Sequence, residues 1–189
     1  MKTDFNTIQV EVKEGVAVLN MNNPPVNQLS KHFMADISQA MEAAYADEDI
    51  KAMVSLEMLG CFSDEEGSQH YPFPFGLFYP HTGNFIGFVG NLSSRRLVRR
   101  ALRAFRTHTR FPSEGCAAPG WITGIGWSDH WGFWQAGYPA IMVTDTAFFR
   151  YGHYHMLSDT PDKIDYERAA RVVVGLTHVM RDLAGNAGE

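Results

Sequence analysis

The chain has 189 residues, 45% of them hydrophobic and 20% charged, which suits one domain around a sizeable core and argues against disorder. Its formal net charge of -5 provides no overall attraction to nucleic acid or an anionic membrane. No apolar run approaches the roughly 18 residues of a membrane span, and the N-terminus MKTDFNTIQV lacks the apolar segment of a signal peptide. The expectation is a cytoplasmic protein with neither membrane nor nucleic acid as a partner. Cys61 and Cys116 are isolated, form no CxxC pair, and read as two free thiols rather than a zinc knuckle or a disulfide framework.

In chain order, Phe5 to Val12 alternates and Val16 to Met21 follows a Lys-Glu-Gly turn, the pattern of a β-hairpin. Asn22-Asn23-Pro24-Pro25 breaks the strand. Ser30 is then placed to cap a helix, with Leu29 and Met34 as a hydrophobic staple and Phe33, Ile37, Ala40, Met41 and Ala44 on one face. Asp47, Glu48 and Asp49 oppose the dipole of a helix C-terminus, so this helix ends near Tyr45. Ile50 to Leu59 reads as a strand interrupted by Glu57. Gly60 to Gly83, rich in Pro, Gly and aromatics, reads as an ordered loop over the sheet edge.

Phe85 to Val89 is the next strand, followed by a helix capped by Ser93 or Ser94. Its Leu97, Ala101, Leu102 and Phe105 face inward, while Arg95, Arg96, Arg99, Arg100, Arg103 and Arg106 face outward. Six arginines fit a solvated face as well as a polyanion contact, and no interleaved aromatics offer base stacking. Asp129 to Gln135 reads as a short helix capped by Ser128. Gly137 to Asp165 is the densest stretch: a core strand at Ala140–Val143 stops at Thr144 and Asp145 and leads into loops carrying Tyr, His and Asp. The last helix starts at an Asp165 cap, buries Ala169, Val173, Leu176 and Met180, and stops at Gly185.

Two resemblances emerge. Residues 3 to about 52, through VEVKEGVAVLNMNNPPVNQLS and FMADISQAMEAAYADEDIKA, resemble the N-terminus of the crotonase (enoyl-CoA hydratase) family. That family continues into a Gly-rich segment supplying an oxyanion hole, whereas this chain continues SLEMLGCFSDEEGSQ. Residues 54 to about 184 resemble the zinc aminopeptidases, a family that includes the glutaminyl cyclases. The segments SLEMLGCFSDEEGSQHYP, YPHTGNFIGFVGN, GWSDHWGFWQAGYPAIMVTDTAFFR and YHMLSDTPDKIDYERAARVVVGL carry this likeness. Together they imply a chimeric chain. It would be a single three-layer α/β domain over residues 1–189, with a mixed, mostly parallel sheet flanked by helices. Residues 1–52 would form a crotonase-like segment and residues 53–189 a zinc-exopeptidase-like one.

The aminopeptidase resemblance implies a two-zinc centre with about five ligands and a carboxylate base. Of the pattern's early His, bridging Asp, Glu-Glu pair, strand-end acid and late His, this chain matches only the last two, as Glu57 and His155. Tyr154 matches the oxyanion-stabilising tyrosine, the one catalytic position retained, and Asp129 and His130 of SDHWGFW match residues that support the site from behind. Zinc binding is therefore expected to be weak or absent, and the chain to be inactive alone towards its peptide or amino-acid substrate.

Glu65-Glu66 lies in the wrong place for the missing pair. His153 and His155, two apart in an extended segment, would share a side and could chelate a metal. His70 and His81 read as solvated or hydrogen-bonded, and His32 has no support as a ligand beyond its residue type. Asp145 and Asp159 are expected to hold loops, and Trp127, Trp131, Phe133 and Trp134 to pack the core or wall an apolar pocket. Two alternatives are a hydrolase using one metal at Glu57, His155 and a recruited Asp129 or His153, and a non-catalytic binding or oligomerisation module. Uncovered sheet edges predict a homodimer.

Overall fold

Both central strands of the main sheet are buried throughout and almost wholly apolar, because each has neighbours on both edges and packing on both faces. The structure, a computed structural model, describes residues 4–13, 16–21, 31–45 and 52–185. It divides into two compact units, residues 52–183 and the residues on either side of them, each considered by itself.

In the first unit, β1 (Ile8–Lys13) and β2 (Val16–Met21) form the expected antiparallel hairpin, with Ile8 opposite Met21 and Lys13 opposite Val16. Helix α1 (Lys31–Tyr45) ends where the acidic run predicts. Ile8, Val10 and Ala40 are buried together with Ile37 and Phe5 against them. The Asp36 carboxylate ties helix to strand, accepting from the Thr7 backbone N–H and hydroxyl, both at 2.8 Å, and from the Asn6 N–H at 3.0 Å. The Ser30 cap and the Leu29 half of the staple lie outside the described residues.

The larger unit is an α/β fold with a mixed, mostly parallel four-stranded sheet flanked by helices. The strands are β3 (Met53–Glu57), β4 (Ile86–Gly90), β5 (Ser113–Ala117) and β6 (Ala140–Thr144), in the order β3-β6-β4-β5. The β3–β6 and β4–β5 pairs are parallel and β4–β6 is antiparallel. On one face Ile86, Phe88, Ile141 and Val143 pack against Leu97, Ala101 and Phe105 of α2 (Arg95–His108) and Val172, Leu176 and Val179 of α4 (Tyr166–Gly185). On the other face Val89 and Met142 meet Ile125, Phe148 and Trp134, the last from the short α3 (His130–Gln135).

Several local expectations are corrected. The strand β5 was not anticipated: SEGCA has no β-branched residue, and its pairing depends on β4 rather than on its own propensity. Ser94 occupies the cap position of α2, yet its hydroxyl accepts the Ala140 N–H at 3.1 Å instead of capping. Val173 is 52% exposed and Val172 is buried in its stead, a phase error of one residue, or about 100°, on the helix. The Asp165 cap of α4 is present, its Oδ1 accepting the Arg168 N–H at 2.9 Å.

Candidate functional site

Sheet register gathers the polar groups of the expected site. Glu57 lies opposite Thr144, Thr144 opposite Gly87, and Gly87 opposite Glu114, so one row crosses the sheet at its loop-bearing end. Because side chains alternate in direction along a strand, this row shares a face with Ser55, Met142, Val89 and Cys116. Glu57 thus ends β3 at the sheet edge with its carboxylate accepting from Ser128 Oγ at 3.0 Å. Ser128 also meets Ser55 Oγ at 2.8 Å. The carboxylate captures the hydroxyl expected to cap α3. Asp129 stands at the cap position without a side-chain cap bond.

Tyr154 comes close enough to Glu57 for the carboxylate to matter: burial first, and the Glu57 charge second, push its hydroxyl above the ordinary tyrosine pKa. It therefore stays protonated, a neutral donor. His155 stacks on the Tyr154 ring at 4.0 Å and 17° and is exposed, in a left-handed backbone conformation of φ 58. The segment around it is a series of turns, not extended, so the predicted same-side His153/His155 chelate does not form. His153 Nδ1 instead meets Ser158 Oγ at 2.8 Å.

Asp129 is exposed. His130 is fully buried, its Nε2 bonded to the Ile125 carbonyl at 2.7 Å and its ring edge-on to Trp134 at 4.5 Å. Burial, the leading influence, lowers its pKa, so it is a neutral imidazole packed under the loop. Glu65 and Glu66 are exposed in the long loop, as are His70 and His81. His32 is exposed on α1.

Under the same face lies an apolar cavity of about 70 Å³. Its walls include Phe75 and Tyr79 from the long loop, Val89 and Met142 from the sheet, and Phe148 and Phe149. Phe148 links it to the edge, contacting Tyr154 at 6.0 Å and Trp127 at 5.5 Å between ring centroids. The tryptophans divide their duties: Trp134 is half-buried and donates to the Ala140 carbonyl at 2.9 Å, whereas Trp127 and Trp131 are exposed.

The loops are held by a buried polar hub that sequence reading found only in part. Asp145 is fully buried and its Oδ2 accepts the N–H groups of Cys61 at 2.7 Å and Gly60 at 2.9 Å. Arg150 donates through Nε to Gln69 Oε1 at 2.6 Å and through Nη1 to the carbonyls of Gly83 at 2.8 Å and Phe85 at 3.1 Å. Burial raises the Asp145 pKa to about 6 against the lowering pull of these N–H groups and of Arg150, and burial lowers that of Arg150 to about 10. Asp159 also holds a loop, accepting from the Tyr151 hydroxyl at 2.7 Å.

The described residues do not bring together a set of zinc ligands. Zinc takes at least three protein ligands, and among the described residues no group of three His, Cys, Asp or Glu converges as a metal site. Glu57 is engaged with Ser128, and His155 is stacked on Tyr154.

The fold is similar to that of an aminopeptidase, the crystal structure of Legionella pneumophila LapA, with a TM-score of 0.55 over 81% of this chain and 36% of that one, at 16% identity. In sequence it is similar to the uncharacterized protein YfbL of Escherichia coli K12, 39% identical over 142 residues, 75% of this chain and 44% of the relative. The chain spans less than half the length of either. It matches no protein-family model. No helix among the described residues is long and apolar enough to cross a membrane.

Proposed function

We propose that this is a zinc aminopeptidase-like chain, behind a crotonase-like N-terminal segment, that retains one edge of the peptidase site and does not hydrolyse peptides alone. The observation carrying this reading is the lack of a convergent ligand set: Glu57 ends β3 within electrostatic reach of Tyr154, His155 stacks on the far partner of that pair, Tyr154, and no group of three His, Cys, Asp or Glu converges among the described residues. The Tyr154 hydroxyl could donate to an oxyanion, but no ligand set among the described residues would hold a metal to generate one. What persists is recognition. The Glu57 carboxylate suits an ammonium group, and the nearby apolar cavity suits a side chain, so the ligand is an amino acid or a peptide N-terminus. The setting is cytoplasmic.

A homodimer belongs to the same proposal. β3 is the last strand of its sheet and its Leu56 is 57% exposed, an open edge of the kind that pairs with a second copy. Assay of the full chain with aminoacyl-anilides in zinc is expected to give no turnover above buffer, and His155→Ala is expected to change nothing. Turnover that disappears in His155→Ala would overturn the proposal.

A further inference from the structure

Against the expectation drawn from net charge that nucleic acid is no partner, we infer from the local charge of α2 that its outer face is a docking surface for the phosphate backbone of duplex nucleic acid. Its six arginines are a large share of the 16 basic residues in a chain whose net charge is -5. The helix RRLVRRALRAFRTH contains no acidic residue. Arg106 is engaged with Ser113 and Glu114, but among the described residues Arg95, Arg96, Arg99, Arg100 and Arg103 form no ion pair. All five are exposed.

This is not how a merely solvated face is built. Like charges three and four residues apart, such as Arg95 with Arg99 and Arg99 with Arg103, repel one another and weaken a helix, and surface helices ordinarily intersperse Glu to reverse the effect. Arg95 and Arg96 also stand in the first turn, which has no acidic residue, against the positive end of the helix dipole. Both costs are relieved by the same thing, an anion spread along the helix.

The chemistry of the face selects among anions. Residues four apart are separated by about 6 Å along the axis, and the 14-residue helix is about 21 Å long. That is a rod bearing repeated guanidinium groups, which bind phosphate through paired N–H donors. The apolar residues of α2 are packed in the core, so its outer face has no aliphatic or aromatic anchor of the kind that centres a protein interface or inserts into a membrane. It has no aromatic to stack on unpaired bases either, which favours a duplex over a single strand. The contacts would be to phosphates alone, independent of sequence and steeply dependent on salt.

The test is fluorescence anisotropy of a labelled 20-base-pair duplex of arbitrary sequence titrated with the full chain between 25 and 200 mM salt, a range chosen on the order of that over which phosphate contacts are lost. Binding that weakens steeply with salt is expected. The triple variant Arg95→Gln/Arg99→Gln/Arg103→Gln should bind roughly tenfold or more weakly at the lowest salt, with a log–log salt slope shallower by about three. The triple Arg→Lys variant at the same positions should keep most of the binding. A cooperative thermal transition in the Gln variant, at or above the parent's temperature because the repulsion is relieved, shows that loss of binding is not loss of fold. Absence of salt-dependent binding, or undiminished binding by the Gln variant, would overturn the inference. So would preference for a poly-glutamate peptide or for anionic lipid vesicles over the duplex.

Discussion

Asp145→Ala is expected to cost about 3 kcal/mol or more of folding stability at pH 7, the scale for removing one member of a buried charged network. The substitution leaves the Gly60 and Cys61 N–H groups without their acceptor and removes the carboxylate whose charge favours the buried Arg150 guanidinium. Through Arg150 the damage reaches Gln69 and the carbonyls of Gly83 and Phe85, so the loop between β3 and β4 should loosen before the sheet does. Chemical denaturation gives the magnitude, and amide exchange over residues 60–85 gives the location. A variant as stable as the parent would remove the hub from the account.

The same carboxyl sets a pH dependence with a definite sign. Its pKa rises from 3.8 in the unfolded chain to about 6 in the fold, so the native state binds the extra proton between those values. The proton-linked part of the stability from this group is complete below about pH 4 and is lost as pH rises through about 6, an amount on the order of 3 kcal/mol beyond what the hydrogen bonds to Gly60 and Cys61 contribute at pH 7. The stability gap between the parent and Asp145→Ala should therefore widen as pH falls from about 7 to about 4. A gap that narrows would mean that Asp145 is ionised across the range.

Gly175→Ala is expected to destabilise the protein by about 1–3 kcal/mol, the usual scale of overpacking in a core. In an open helix the same change would stabilise by about 1 kcal/mol. Here a Cβ would stand 2.4 Å from Cε2 and 2.9 Å from Cδ2 of Phe105, and 3.0 Å from Cγ2 of Thr109. Phe105 is fully buried against Phe88 at 5.3 Å and has nowhere to retreat. Gly175 thus lets α4 pack directly on the Phe105 ring of α2. A rise in melting temperature on substitution would show that the two helices are not packed this tightly.

What the sequence made legible follows from how locally each feature is encoded. The runs AIMV and FIGFV announce buried strands because both of their faces are covered, and the Asp165 cap and the Tyr45 stop are decided within one turn of helix. The strand SEGCA was invisible since its structure comes from the partner strand. Ser128 was misassigned because a hydroxyl near a helix start has a stronger suitor in Glu57, a residue 71 positions away.

In the site, the aminopeptidase resemblance puts Glu57 at a strand end, and β3 does stop there instead of running on to Leu59. The left-handed turn at His155 was not readable, and it is what separates His155 from His153. Asp145 was expected to hold loops, but its relation to Gln69 and Arg150 was not. Those two residues are 81 apart in the chain and meet only because two loops fold over the same strand end. Val173 shows a smaller limit: an unbroken VVV run contains no phase, so only tertiary packing chooses Val172 for the core.

The central claim is that the Glu57, Tyr154 and His155 edge is part of a metallopeptidase site rather than a whole one. Zinc content after equilibrium dialysis of the full chain against excess zinc tests it most directly. Well under one tightly held zinc per chain, unchanged by His155→Ala, is expected. Two zinc ions per chain, reduced by His155→Ala or Glu57→Ala, would contradict it.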